Sequence, residues 1–172
     1  MGVLKKSVAS FRIFGKTRDQ QFDPKEITEL LGVAPTRSHA IGDLNERYFN
    51  RTGQRHFRDF AKWIVSVEYR TPGDLNSQIK ELIAMLPDDP NIWRQLHKDY
   101  ELTVFCGLWL ECFNSGQPLD SETLRLLSDR NLCLDLDIYQ DPDYIHDEDE
   151  ETLEFWKQVD VNSKRLTNKD AE

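Results

Sequence analysis

Residues 132–139, LCLDLDIY, alternate without a break: Leu132, Leu134, Leu136 and Ile138 fall on one side of an extended chain, Cys133, Asp135, Asp137 and Tyr139 on the other. A period of two over this length is the pattern of a strand buried on one side. Its other face must be wet or bound, so helices are expected to cover one face of the sheet and leave the other open. Three further runs read as strands. Residues 8–15 (VASFRIFG) are β-branched and aromatic and stop at a glycine, and residues 62–70 alternate with Trp63, Val65, Val67 and Tyr69 on one side. Residues 102–113 are nearly all apolar, with Phe105, Trp109 and Phe113 opposite Cys106, Leu108 and Leu110.

Helical signals lie between these runs. Asp23 and Pro24 open a helix with Ile27, Leu30 and Leu31 as its buried stripe and Gly32 at its end. Leu75, Ile79, Leu82, Ile83 and Leu86 have helical spacing up to Pro87, a short helix is expected over 91–98, and Asp120 caps one carrying Leu124, Leu126 and Leu127. Residues 34–60 read as a long polar loop with Arg37, Arg47, Arg51, Arg55, Arg58, His39 and His56; a loop of that length in a compact domain is usually functional or mobile. In the first unit Ile27 and Leu30 follow Asp23 at the offsets at which Leu124 and Leu127 follow Asp120 in the last. That repetition predicts an α+β fold of duplicated ferredoxin-like strand-helix-strand halves sharing one mostly antiparallel sheet, with helices on one face and a helical insertion between the halves. Residues 1–140 form the expected domain. Residues 141–172 form an acidic tail in which Leu153, Phe155, Trp156 and Val159 suggest a short amphipathic helix.

Charge is distributed unevenly. The formal net charge is -9, yet residues 1–58 hold 11 Lys+Arg against 6 Asp+Glu, and residues 59–172 hold 11 against 25. The acidic part would repel a phosphate backbone, no nucleic-acid motif occurs, and nucleic acid is not an expected partner. Residues 1–12 lack an uninterrupted signal-peptide core, Lys6 stands where a myristoylation motif needs Ser or Thr, and no apolar run is long enough to span a membrane. The expectation is a cytoplasmic protein with no membrane association. Three cysteines, Cys106, Cys112 and Cys133, cannot all pair within the chain and read as free buried thiols.

No catalytic, metal or cofactor signature emerges. His39, His56, His97 and His146 are scattered, and the acids of residues 141–151 lack the glycine and fixed spacing of an EF-hand. Asp135 and Asp137 would lie about 7 Å apart on one strand face, but no apolar pocket signature accompanies them. Glycine-rich phosphate loops and nucleophile elbows do not occur. What the sequence offers instead is an interface composition: Trp109 and Tyr139 as aromatic anchors beside Asp135, Asp137, Asp141, Asp143, Asp147, Glu148, Asp149, Glu150 and Glu151.

The runs FRIFGK, FDPKEITELLGVAPT, IGD, KWIVSV and LCLDLDIY, in that order over residues 8–140, resemble the bacterial domain-of-unknown-function family numbered 4279. The resemblance rests on Gly15, Asp23, Pro24, Ile27, Thr28, Leu31, Gly32, Pro35, Thr36, Gly42, Asp43, Trp63 and Tyr139. It implies a small bacterial cytoplasmic domain and carries over no catalytic residue. The stretch 47–58 and the tail after Tyr139 depart from it.

The leading expectation is therefore a non-enzymatic bacterial protein-binding domain without a cofactor, an immunity protein that neutralises a cognate toxin. Its acidic surface would occlude a basic protein partner such as a toxin domain. The alternative is a small-molecule-sensing or regulatory module of duplicated ferredoxin-like type, with Arg37, Asp43 and Arg47 as ligand contacts.

Overall fold

The computed structural model describes residues 4–111 and 116–140 of the 172-residue chain. Cys112, Phe113, the acids Asp141 to Glu151 and the expected helix near Leu153 lie outside the described residues. Strands β1 (Leu4–Gly15), β2 (Arg37–His39), β3 (Lys62–Ser66), β4 (Tyr100–Leu110) and β5 (Cys133–Gln140) alternate with helices α1 (Pro24–Leu31), α2 (Glu46–Thr52), α3 (Leu75–Ala84), α4 (Pro90–Asp99) and α5 (Ser121–Ser128). The strands form one mixed sheet in the order β2-β3-β1-β4-β5. The pairs β2–β3, β3–β1 and β1–β4 are antiparallel, and β4–β5 is parallel through the α5 crossover.

Local chemistry sets the helix ends. The Asp23 carboxylate accepts from the Lys25 amide at 2.9 Å, Pro24 occupies the first turn, and Gly32 closes α1 at φ 67°. Asp120 does the same for α5, accepting from the Thr123 amide at 2.7 Å, and that bond, with Lys80 beside it, pulls its carboxyl down to about 2. One face of the sheet packs on α1, α3, α4 and α5. Phe11, Ile13, Trp63, Val65, Val104 and Cys106 from the strands meet Ile27, Leu31, Ile79, Leu82, Trp93, Leu96 and Leu127 from the helices. Phe11 stands edge-on to both Trp63 and Trp93, with centroids 6.3 and 5.6 Å away. Each indole N–H has a partner, Trp63 donating to Thr28 Oγ1 and Trp93 to the Pro87 carbonyl. No helix among the described residues is long and apolar enough to cross a membrane.

Several expectations need correction. The two outer units are not equivalent: β1 is the central strand, antiparallel to both neighbours, whereas β5 is an edge strand parallel to β4. The matching Asp offsets reflect shared helix capping, which leaves strand pairing open. The stretch 34–60 holds β2 and α2 instead of being a plain loop. Not every helix lies on the core face. Helix α2 has no buried residue, and it shares a pocket with Arg37 and Lys62, which project from the other face. Strand β3 ends at Ser66, so Tyr69 leaves the core side and is 57% exposed. Cys106 is buried but Cys133 is exposed, because β5 lies at the sheet edge. Leu136 and Ile138 are exposed for the same reason, and Leu124 points to solvent while Thr123 and Leu127 carry α5 inward.

Candidate functional site

The face of the sheet away from the four packed helices is built by cross-strand rows. Arg37, Ile64, Arg12, Thr103 and Cys133 form one row, Ser66, Ser10, Phe105 and Asp135 the next, and Lys6, Trp109 and Tyr139 another. Arg12 lies with its guanidinium carbon 3.4 Å from the centre of the Phe105 ring, and its Nε donates to Ser10 Oγ at 3.1 Å. Partial burial, then Arg37, lowers its pKa against the opposing pull of Asp135, Tyr139 and Asp137.

At the β4–β5 end three rings cluster, Trp109 stacked on Tyr139 and tilted by 59° to Tyr69. Trp109 lies 4.9 Å from Tyr139 with planes 17° apart and 5.7 Å from Tyr69, and Lys6 Nζ sits 4.0 Å above the Tyr69 ring. The Tyr139 hydroxyl donates to Asp137, and that bond raises its pKa. Trp109, Asp137 and Tyr139 are thus brought together and Asp135 lies nearby on the same face. Tyr69 and Lys6 were not foreseen from sequence; Tyr69 arrives because the chain turns out of β3 after Ser66, and Lys6 because it stands opposite Trp109 in the β1–β4 pair.

The β2–β3 end differs in character. Asn45 caps α2 by accepting from the Tyr48 amide at 3.1 Å, and Gly53 ends the helix at φ 71°. The arms on either side are clamped together: Asn45 N–H donates to the His56 carbonyl, Gly42 N–H to that of Arg58, and Arg58 N–H to that of Asp43, each at 2.8 Å. This clamp brings Arg47 and Arg51, one turn apart on α2, and Arg58 against Arg37 of β2 and Lys62 of β3. With Asn45 and Tyr48 they line a pocket of about 370 Å³.

No carboxylate lines this pocket. Among the described residues none of its five cations makes an ion pair, whereas Arg18, Arg70, Lys80 and Arg130 all do. The crowding registers on neighbours. Burial, then Arg37, Arg58 and Arg12, lowers the pKa of Lys62. Burial, then Lys62 and Arg58, holds His39 down to about 4, so its ring is neutral at pH 7. Of the ligand contacts foreseen from sequence, Arg37 and Arg47 share this pocket. Asp43 lines an adjoining cleft of about 560 Å³, and its carboxylate accepts from the Ala40 amide at 2.8 Å, which shapes the turn. Arg51 and Arg58 were visible in the sequence as loop arginines, but only the clamp makes them converge. Arg12 and Lys62 had no sequence signal beyond strand alternation.

The charge balance changes accordingly. The described residues hold 18 Lys+Arg against 20 Asp+Glu, so of the net charge of -9 they account for -2, and residues 141–172, with 4 against 11, for -7. No group of three or more His, Cys, Asp or Glu side chains among the described residues is arranged to hold a metal ion.

No curated protein and no solved structure matches the chain. A match to the family described as Domain of unknown function (DUF4279) runs over residues 5–141, taking in every described strand and helix but the first residue of β1, and the chain belongs to that family.

Proposed function

We propose that this protein is a non-enzymatic binding module whose ligand is an anion held in the basic pocket between α2 and the β2–β3 end of the sheet. The observation that carries the reading is the pocket itself: five cations converge on one space with no carboxylate in its lining. Like charges brought together without counter-charges cost stability, and an arriving anion relieves that cost. The reading keeps the small-molecule module foreseen from sequence, with Arg37 and Arg47 as contacts and Asp43 moved to a shaping role. The antiparallel order β2-β3-β1-β4 supports a ferredoxin-like core, to which α5 and β5 add one further strand. Thermal denaturation against a panel of anions at constant ionic strength tests the reading. A saturable rise in melting temperature that Arg37→Gln and Arg58→Gln abolish is expected, since a ligand of the folded state alone raises its apparent stability. Equal melting temperatures in every anion would sink it.

A second reading is favoured by the aromatic cluster of half-buried Trp109 with exposed Tyr69 and Tyr139 beside Asp137. Aromatic anchors next to acids suit a basic protein partner, which fits a bacterial, cytoplasmic immunity protein that occludes a toxin domain. Its test is affinity capture of one basic protein from the native host at low and moderate salt. Trp109→Ala and Asp137→Lys should each abolish retention, and capture that survives both would remove this reading.

A further inference from the structure

We propose that the basic pocket recognises a pyrophosphate-type group, two or more adjacent phosphoryl groups borne free or on a nucleoside, an inference that rests on the anion-binding reading above.

Charge is the first argument. Arg37, Arg47, Arg51, Arg58 and Lys62 put five positive charges around one pocket. One carboxylate would leave most of them unmatched, and a diphosphate, with several negative charges in a compact space, comes far closer to balance. Residue type is the second. Four of the five are arginines, whose planar forks bind phosphoryl oxygens in pairs, whereas a site needing only a point charge is served by lysine.

Size is the third. A space of about 370 Å³ lies at the lower end of small-ligand pockets, which run from roughly 300 to 1,000 Å³. It suits a small organic phosphate better than an element of a folded partner. Tyr48 supplies a ring in the wall, with the Arg51 guanidinium 5.8 Å from its centre and the His56 ring 5.2 Å away. A flat base would stack there, and a free diphosphate would not use it.

The cations of the pocket also repel one another in detail. Arg47 and Arg51 stand four residues apart on α2, a spacing at which like charges destabilise a helix. The Lys62 ammonium is held below its ordinary pKa by burial and by Arg37 and Arg58. A nucleic-acid strand fits less well. Strand binding without sequence preference wants a positive groove that tracks many phosphates with aromatic platforms along it. Here five cations gather around one pocket at one end of the face, and Asp135 and Asp137 lie toward the other.

Isothermal titration calorimetry on the full chain at fixed ionic strength decides the matter. The probes are inorganic pyrophosphate, orthophosphate, ADP, citrate and a single-stranded oligonucleotide series. The expected result is binding of pyrophosphate at one per chain, at least tenfold tighter than orthophosphate or citrate. Arg37→Gln and Arg58→Gln should each weaken it at least tenfold, while Arg94→Gln, whose side chain contacts Asn91 and Pro90 away from the pocket, leaves it unchanged. Circular dichroism confirms that each variant is folded; removal of mutually repelling charges favours folding. ADP binding more tightly than pyrophosphate, with the difference lost in Tyr48→Ala, identifies a nucleoside carrier, and equal affinities identify the free anion. Citrate binding as tightly as pyrophosphate overturns the phosphate assignment and leaves an anion pocket. Affinity that grows with oligonucleotide length overturns it in favour of a strand. Binding of no probe, or binding that survives both arginine variants, overturns the assignment and the anion-pocket reading together.

Discussion

Replacing Gln78 with leucine probes the polar contact that fixes α3 to the sheet. Both Gln78 and Ser7 are 0% exposed. Ser7 Oγ donates to Gln78 Oε1 at 2.5 Å, and Gln78 Nε2 donates to the carbonyls of Ser7 and Glu68 at 3.1 and 2.7 Å. In Gln78→Leu the Ser7 carbonyl keeps the Arg70 amide at 3.0 Å, and Ser7 Oγ keeps its bond from the Asp74 amide. The Ser7 hydroxyl proton loses its acceptor and the Glu68 carbonyl loses its donor. The buried Ser7 hydroxyl left unpaired costs about 1–3 kcal/mol and the part-buried Glu68 carbonyl less, partly offset by the apolar leucine, so a net loss of about 2 kcal/mol is expected. At about 2–4 °C per kcal/mol for a protein of this size, the melting temperature should fall by about 4–8 °C. Urea titration followed by tryptophan fluorescence should show a lower midpoint with an unchanged slope. In Ser7→Ala/Gln78→Leu the orphaned hydroxyl is gone, so the double variant should lose at least about 1 kcal/mol less than the sum of the singles. A loss under about 1 kcal/mol in Gln78→Leu, or strict additivity, would refute the reasoning.

Three further outcomes are expected. His39 titrates near 4 in the folded protein and near 6.5 in the unfolded chain, so the unfolded state binds more protons between those values. Its contribution, up to about 3 kcal/mol, is complete above pH 6.5 and is lost as pH falls toward 4; His39→Phe should flatten that slope in pH-dependent denaturation curves. In a Cys112→Ser background, Cys133 should react with a thiol reagent in the native state. Cys106, buried and with its thiol pushed up to about 12, should react only on unfolding; prompt labelling of both would contradict its place in the core. Gly73→Ala should destabilise by roughly 1–3 kcal/mol, because the added carbon would lie 2.7 Å from Leu4 Cβ and 2.9 Å from Ser7 Oγ; a neutral effect by thermal denaturation would show that the backbone yields freely there.

Local signals carried the reading of sequence where local physics decides structure. Asp23-Pro24 with Gly32, Asp120, and the alternation of residues 132–139 each specify their elements through capping or pleat, and each appears where expected. Trp109, Asp137 and Tyr139 could be placed on one wet face because alternation fixes sidedness. It does not fix which strands are neighbours. Nothing local distinguishes β1 as the centre of the sheet or makes β5 run parallel to β4, since both follow from packing between distant segments. The basic pocket was half legible for a similar reason. Its arginines were plain in residues 34–60, but their convergence needs the Asn45–His56 and Asp43–Arg58 backbone bonds, which no hydropathy pattern encodes. Acidity misled in the other direction, because the surplus negative charge belongs mainly to residues 141–172.

The central place of β1 bears on how the chain is made. Ser10 pairs with Ser66 on one side and with Phe105 on the other, about 95 residues further along, whereas Thr103 pairs with Cys133 only about 30 residues on. On the ribosome β1 therefore emerges before either of its neighbours and waits longest for its second one. Phe11 and Ile13 must wait, uncovered on one flank, until β4 has been synthesised, and pairings of such long separation close slowly. Nascent chains stalled before residue 100 should engage chaperones through this N-terminal strand, and release from them should coincide with the appearance of Leu110.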